Sequence, residues 1–104
     1  MTFTQMLDQT GIKYAEAEFR ADMKPPYIVW EDDCETICAD SVVVAITGEY
    51  TLYLFTSRTD TTSEAAVERV LDSHKIAYTK DRSWIGGTQK VWLNEYTFGA
   101  KTEW

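Results

Sequence analysis

The chain has 104 residues, enough for one domain that buries roughly 65% of the surface its unfolded form exposes, so a core can form without disulfide or metal staples. At 44% hydrophobic and 13% aromatic residues it is no disordered tail, and no apolar run approaches the roughly 18 residues that a membrane span requires. Ten basic against seventeen acidic side chains give a net charge of -7, which speaks against sequence-independent nucleic-acid binding, because that mode needs a basic patch.

The opening MTFTQMLDQT holds no basic segment followed by an apolar stretch, so no secretory signal is expected and the chain is assigned to a cytoplasm. Cys34 and Cys38 are then reduced thiols. Residues 2–9 are predicted to form a short helix. Thr2 and Gln5 have the spacing of a capping box, Phe3, Met6 and Leu7 face inward, and Gly11 is placed for the left-handed conformation beyond the helix end. Residues 12–19 are read as a strand although Ala15-Glu16-Ala17-Glu18 is better helix-forming material, and both alternatives stay open. Residues 21–26 are a loop.

Pro25-Pro26 feeds Tyr27-Ile28-Val29-Trp30, a β-branched and aromatic strand expected to end in an exposed acidic turn of Glu31, Asp32, Asp33 and Glu35. Pairing resumes at residues 37–39, and residues 41–46 lead through Thr47-Gly48 into the stretch that organises the chain, residues 49–78. In its first part Tyr50, Leu52 and Leu54 alternate with Tyr53 and Phe55, the period-two signature of a central strand. A helix follows, capped by Thr61 with Glu64 three residues on, and Val67, Val70, Leu71 and His74 form its apolar stripe. Glu64, Glu68, Arg69 and Asp72 are expected to point away into water.

Residues 76–79 form a short return strand, Gly86-Gly87 is the strongest turn signal, and residues 91–98 form a last strand with Trp92, Tyr96 and Phe98 on one face and Val91 and Leu93 on the other. The tail from Gly99 to Trp104 is expected to be loosely held. Together these elements predict a single α+β domain over residues 1–104: a mostly antiparallel sheet of four to six strands carrying a short N-terminal helix and a longer helix at about residues 62–74.

Chemistry is sparse. His74 has no nucleophile near it in the pattern, Cys34 and Cys38 form a lone C-x3-C that falls short of four zinc ligands, and Glu31, Asp32, Asp33 and Glu35 lack the alternating ligands and central glycine of a calcium loop. Gly86-Gly87 lacks the lysine and following helix of a phosphate-binding loop. No catalytic residue, cofactor or metal is expected. The unusual feature is aromatic residues on both faces of the strands, so Trp30, Trp84 and Trp92, with the acids Glu31, Asp32 and Asp33, are the candidate interface.

The order of these motifs resembles the small proteins encoded in the head-to-tail joining region of long-tailed phages and prophages, of the tail-terminator or tail-completion type. Where those chains have an xPPFIVY, an ADN and an xLYT segment, this one has Lys24 to Trp30, Ala39 to Ser41 and Leu52 to Thr56; Ser41 replaces the usual Asn and Trp30 the usual Tyr. The resemblance covers most of residues 2–98. It implies a homo-oligomeric ring, usually a hexamer, that caps the tail tube and meets a head-connector protein, with the subunit able to remain monomeric in dilute solution. The other function class that fits the charge is a small acidic inhibitor of the DNA-mimic type. Against it stand Arg58, Arg69, Lys75, Lys80 and Arg82, which interrupt a continuous negative field.

Overall fold

The chain's apolar patterning resolves into two helices and five strands in a computed structural model that describes residues 1–17, 24–39, 42–88, 90–101 and 103–104. Helix α1 (Phe3–Asp8) starts at the expected capping box: the Gln5 amide donates to Thr2 Oγ1 at 3.2 Å, and the Thr2 amide donates to Gln5 Oε1 at 2.8 Å. Gly11 takes φ +72° beyond its end. The next residues choose the strand alternative, β1 (Lys13–Glu16), which pairs in parallel with Tyr27–Trp30. Backbone pairing and the packing of Ile12 and Tyr14 on the core outweigh the helix propensity of the Ala-Glu repeat. The outer ends of the expected strand at 12–19 and loop at 21–26 lie partly outside the described residues, as does Ser41.

Strand β2 (Tyr27–Ala39) corrects the sequence reading. The acids Glu31, Asp32, Asp33 and Glu35 do not turn the chain; they continue the strand and pair with Thr51, Tyr50, Glu49 and Thr47. Charge clustering signals exposure, and an exposed strand satisfies it as well as a turn does. The partner, β3 (Val42–Ser57), is the central strand of the order β1-β2-β3-β5-β4. From it the chain runs through α2 (Thr62–Ser73) to β4 (Tyr78–Ile85) and then turns back as β5 (Val91–Gly99), which inserts between β3 and β4. Because β5 is antiparallel to both neighbours, β3, α2 and β4 form a split β-α-β unit. β4 runs to Ile85, well beyond the four residues expected of the return strand.

Both helices lie on one sheet face. Met6, Leu7, Val67 and Leu71 pack there against Ile28, Leu52, Leu54, Tyr96 and Phe98, all buried. The opposite face holds a smaller cluster of Tyr27, Val29, Phe55 and Val91. The alternation read from residues 50–55 and 91–98 therefore assigns both faces correctly.

Three local expectations fail. Helix α2 is capped by Asp60 rather than Thr61: Asp60 Oδ1 accepts from the Thr62 and Ser63 amides at 3.0 Å, while the Thr61 side chain makes no cap bond. Burial works against the Asp60 charge, but the bonds from Ser63 and Thr62 hold its pKa below the usual aspartate value. Glu64 and Glu68 face β4 instead of water. The C-terminal tail is anchored, since Trp104 packs edge-on against Phe3, Tyr50 and Phe98 and its amide donates to the Met1 carbonyl at 3.2 Å.

Candidate protein interface

The turn after β4 sets Trp84 directly opposite Trp92 on the helix-bearing face, with ring centroids 5.0 Å apart and planes at 63°. Arg82, two residues before Trp84 on the same face, lays its guanidinium 3.7 Å from the centre of the Trp92 ring. Arg58, just past the end of β3, joins the two tryptophans around an open surface cavity of about 510 Å³. Trp84 is 43% exposed, and Trp92 is half-buried beneath it. Arg58 makes no ion pair among the described residues, and Lys90 is exposed at the same end of the sheet. This constellation offers flat apolar faces and forked hydrogen-bond donors, the composition of a binding hot spot.

An ion network between α2 and β4 holds the patch in place. Lys80 Nζ meets Glu64 Oε1 at 2.8 Å and Glu68 Oε2 at 3.1 Å, and Arg82 reaches Glu64 Oε2 at 3.3 Å. The buried Tyr96 hydroxyl donates to Glu68 Oε2 at 3.1 Å, and burial together with that carboxylate pushes its pKa far above the usual phenol value. Glu64 is only 13% exposed, so its charge is committed to these partners. Beside it, Asn94 is fully buried; its Nδ2 donates to the Leu54 carbonyl at 3.3 Å, while its Oδ1 has no partner among the described residues.

The acids lie elsewhere. β1 pairs with β2 only as far as Trp30, and β5 pairs with β3 only from Glu49 onward. Past those limits, apart from the Ala100 amide donating to the Gly48 carbonyl at 3.1 Å, β2 and β3 pair solely with each other among the described residues, as far as Ala39 opposite Val42. They form a two-stranded arm whose root carries exposed Glu31, Asp32, Asp33, Glu35 and Glu49. Gly48 marks the root: its φ is +115°, and a Cβ there would stand 1.8 Å from the Asp33 carbonyl oxygen, so no other residue fits. Tyr53 donates to Glu31 Oε1 at 2.8 Å, and this bond, with burial, pushes the phenol up to about 12.

Of the candidate interface residues, the structure brings Trp84 and Trp92 together and removes Trp30. Trp30 is 9% exposed and packs against Phe3 at 4.8 Å and Tyr50 at 5.9 Å, so it serves the core and not a partner. Glu31, Asp32 and Asp33 are exposed as expected of interface residues, but they sit on the arm, away from the tryptophans. Along β3, Thr51 opposite Glu31 and Thr56 opposite Trp92 are separated by roughly 17 Å of strand. The sequence reading missed Arg58, Arg82 and Lys90 as companions of the tryptophans. The signal existed in Arg82-Ser83-Trp84, where alternate residues share a sheet face.

The helix-free face also collects charge. Strand alternation and register place Glu31, Asp33 and Glu35 of β2, Glu49 of β3, Glu95 of β5 and Asp81 of β4 on it, while Lys80 and Arg82 project on the other. Asp33 stands directly opposite Glu49, and Asp81 directly opposite Glu95, two like-charge pairs that cost stability in a free sheet.

Compared with known proteins, the chain matches no family model and no curated protein sequence. Among the described residues no group of three or more His, Cys, Asp or Glu side chains is placed to hold a metal ion. His74 bridges Gln9 Oε1 at 2.8 Å and the Trp104 carbonyl at 3.3 Å, tying both helices to the C-terminus. Burial, followed by the nearby Asp32 charge, raises the Cys34 thiol pKa, so its thiolate population is small. No helix among the described residues is long and apolar enough to cross a membrane.

Proposed function

We propose that this protein is a non-catalytic assembly subunit of a long-tailed phage or prophage, of the tail-terminator or tail-completion type, which forms a ring at the head-proximal end of the tail. The arm supports this reading most directly. Two strands that leave the sheet and, among the described residues, pair only with each other are marginal in water and gain stability when a neighbour covers them. They also make the molecule long: its Cα radius of gyration is 14.8 Å, against about 13 Å for a compact domain of this length, and its long axis measures 52 Å. A shape that reaches beyond its own core suits repeated contacts with neighbouring subunits, a tube and a connector. The sequence resemblance supplies the setting; the arm and the Arg/Trp patch supply the surfaces.

Particles made by the parent phage or prophage without this gene test the reading by electron microscopy. Overlong or headless tails beside filled heads are expected, and normal infectious particles would overturn it.

A second reading gains from the placement of the acids. Six carboxylates on one sheet face, with only Lys13 adding positive charge to that face among the described strand residues, form a more continuous negative surface than the sequence order implied. That surface suits an inhibitor occupying the basic groove of a nucleic-acid enzyme. Inhibition of a nuclease by the purified monomer supports this reading over the first.

A further inference from the structure

We infer that the Arg58–Arg82–Trp84–Trp92 patch of one subunit is the docking site for the acidic arm root of a second copy of the same chain. The inference rests on the assembly reading and names its subunit contact.

The two surfaces lie apart along β3. Thr51, opposite Glu31, is roughly 17 Å of strand from Thr56, opposite Trp92, and Glu49 is roughly 30 Å of strand from Arg58, while the arm runs on from Glu49 away from the patch to Val42. The rigid pairing of the strands therefore keeps the arm root off the patch of its own chain. The root presents Glu31, Asp32, Asp33, Glu35 and Glu49; the patch presents Arg58, Arg82 and Lys90 around two tryptophans. Of the carboxylates near that cluster, Asp60 is occupied in capping α2, Glu64 is shared between Lys80 and Arg82, and Asp81 projects from the opposite sheet face.

Charge favours root on patch. A two-fold contact centred on the arm root would set acids against acids in a chain already at -7, which like-charge repulsion disfavours. Root on patch pairs opposite charges; used once per surface it is a head-to-tail contact that closes into a ring when the rotation between copies closes, and it gives higher oligomers where a reciprocal two-fold pair would stop at a dimer. It also places carboxylates at Arg58, which has no ion pair among the described residues, and covers Trp84, the most exposed large aromatic among them. Forked guanidinium–carboxylate pairing fits an acidic strand edge in a way that a lysine patch would not.

The arm carries both cysteines of the chain, Cys34 and Cys38, and this permits a direct test. A T59C substitution places a thiol beside Arg58 at an exposed position. Oxidation of the concentrated purified variant with diamide is expected to give a ladder of disulfide-linked oligomers, in which mass spectrometry joins position 59 to Cys34 or Cys38. Adding R58E should reduce that product about tenfold or more, and mixing the R58E chain with a D33K chain should restore it. Arg58 and Asp33 are both exposed, so the fold is expected to survive each change, and circular dichroism checks this.

Products dominated by position 59 joined to position 59, or by Cys38 joined to Cys38, would overturn the inference, as would the absence of any cross-link at the highest soluble concentration. The outcomes separate from those of the phage experiment. Abnormal tails without this cross-link would keep the function and discard the contact, whereas the cross-link with normal particles would keep the contact and discard the function.

Discussion

Along β3 the surroundings change at Gly48. On its C-terminal side Leu52, Leu54, Phe55 and Thr56 are buried between β2 and β5, and helices cover the face that carries Leu52 and Leu54. On its N-terminal side the same strand pairs, among the described residues, with β2 alone, and Thr47 stands in solvent opposite Glu35. The body is held by buried side chains, whereas at the described positions from Glu31 to Thr36 and Ile46 to Glu49 most side chains are exposed and the pairing is carried by backbone bonds. Side-chain burial contributes about 1.5–3 kcal/mol per large apolar residue, whereas a backbone hydrogen bond contributes about 1 kcal/mol net, so the two regions should respond very differently to the same kind of change.

The largest separation is expected from Leu71→Ala in the body, where a fully buried side chain leaves a cavity and costs about 2–5 kcal/mol in urea unfolding. Gly48→Ala attacks the junction. The new methyl group would strike the Asp33 carbonyl, and strain of about 2–3 kcal/mol would be released by opening the arm rather than by unfolding the body. Hydrogen exchange should then show lost protection at residues 31–47 with β5 unchanged; loss of protection throughout would mean that arm and body fold as one unit.

Asp60→Ala should destabilise the body by about 1 kcal/mol and Thr61→Ala by almost nothing, because only Asp60 caps α2. The Asp60 contribution is present above the ordinary aspartate pKa and is lost as pH falls through the lowered folded-state value. Glu31→Gln, at the boundary between the regions, should bring the Tyr53 phenol down from about 12 toward its ordinary value of 10.0, as read by ultraviolet titration. In the unsubstituted chain, the stability tied to neutral Tyr53 is full below the ordinary pKa and disappears as pH rises through about 12. The smallest effect is expected in the arm itself. Ile46→Ala, at a half-exposed position, should change unfolding free energy by less than about 0.5 kcal/mol, and a loss of several times that would erase the contrast.

The same contrast explains what the sequence could reveal. Alternation at residues 50–55 and 91–98 and the helical stripe of Val67, Val70 and Leu71 are properties of burial, and they read correctly because the body obeys burial. At the arm root Glu31, Asp32, Asp33, Glu35 and Thr36 are exposed on both faces, so alternation carries no signal there and the acids read as a turn. The cap moved from Thr61 to Asp60 because the chain reaches the helix with Asp60 beneath its first amides, a geometry the Thr-x-x-Glu spacing does not encode. Trp84 and Trp92 were visible as surface aromatics. Trp30 was not recognisable as core, because its partners Phe3 and Tyr50 are distant in sequence. Arg82 lies within reach of the Arg82-Ser83-Trp84 alternation, whereas Arg58 joins the tryptophans only through register and chain reversal.

The arm is also a lever. Its seven β3 residues from Val42 to Gly48 reach roughly 23 Å, so a tilt of about 10° at the glycine moves the tip by roughly 4 Å, more than a hydrogen bond can follow. Any contact near the fulcrum, at Glu31 to Glu49, would tolerate that swing, while one at the tip would not. A neighbour that gripped the root would damp the motion and leave the tip already aimed.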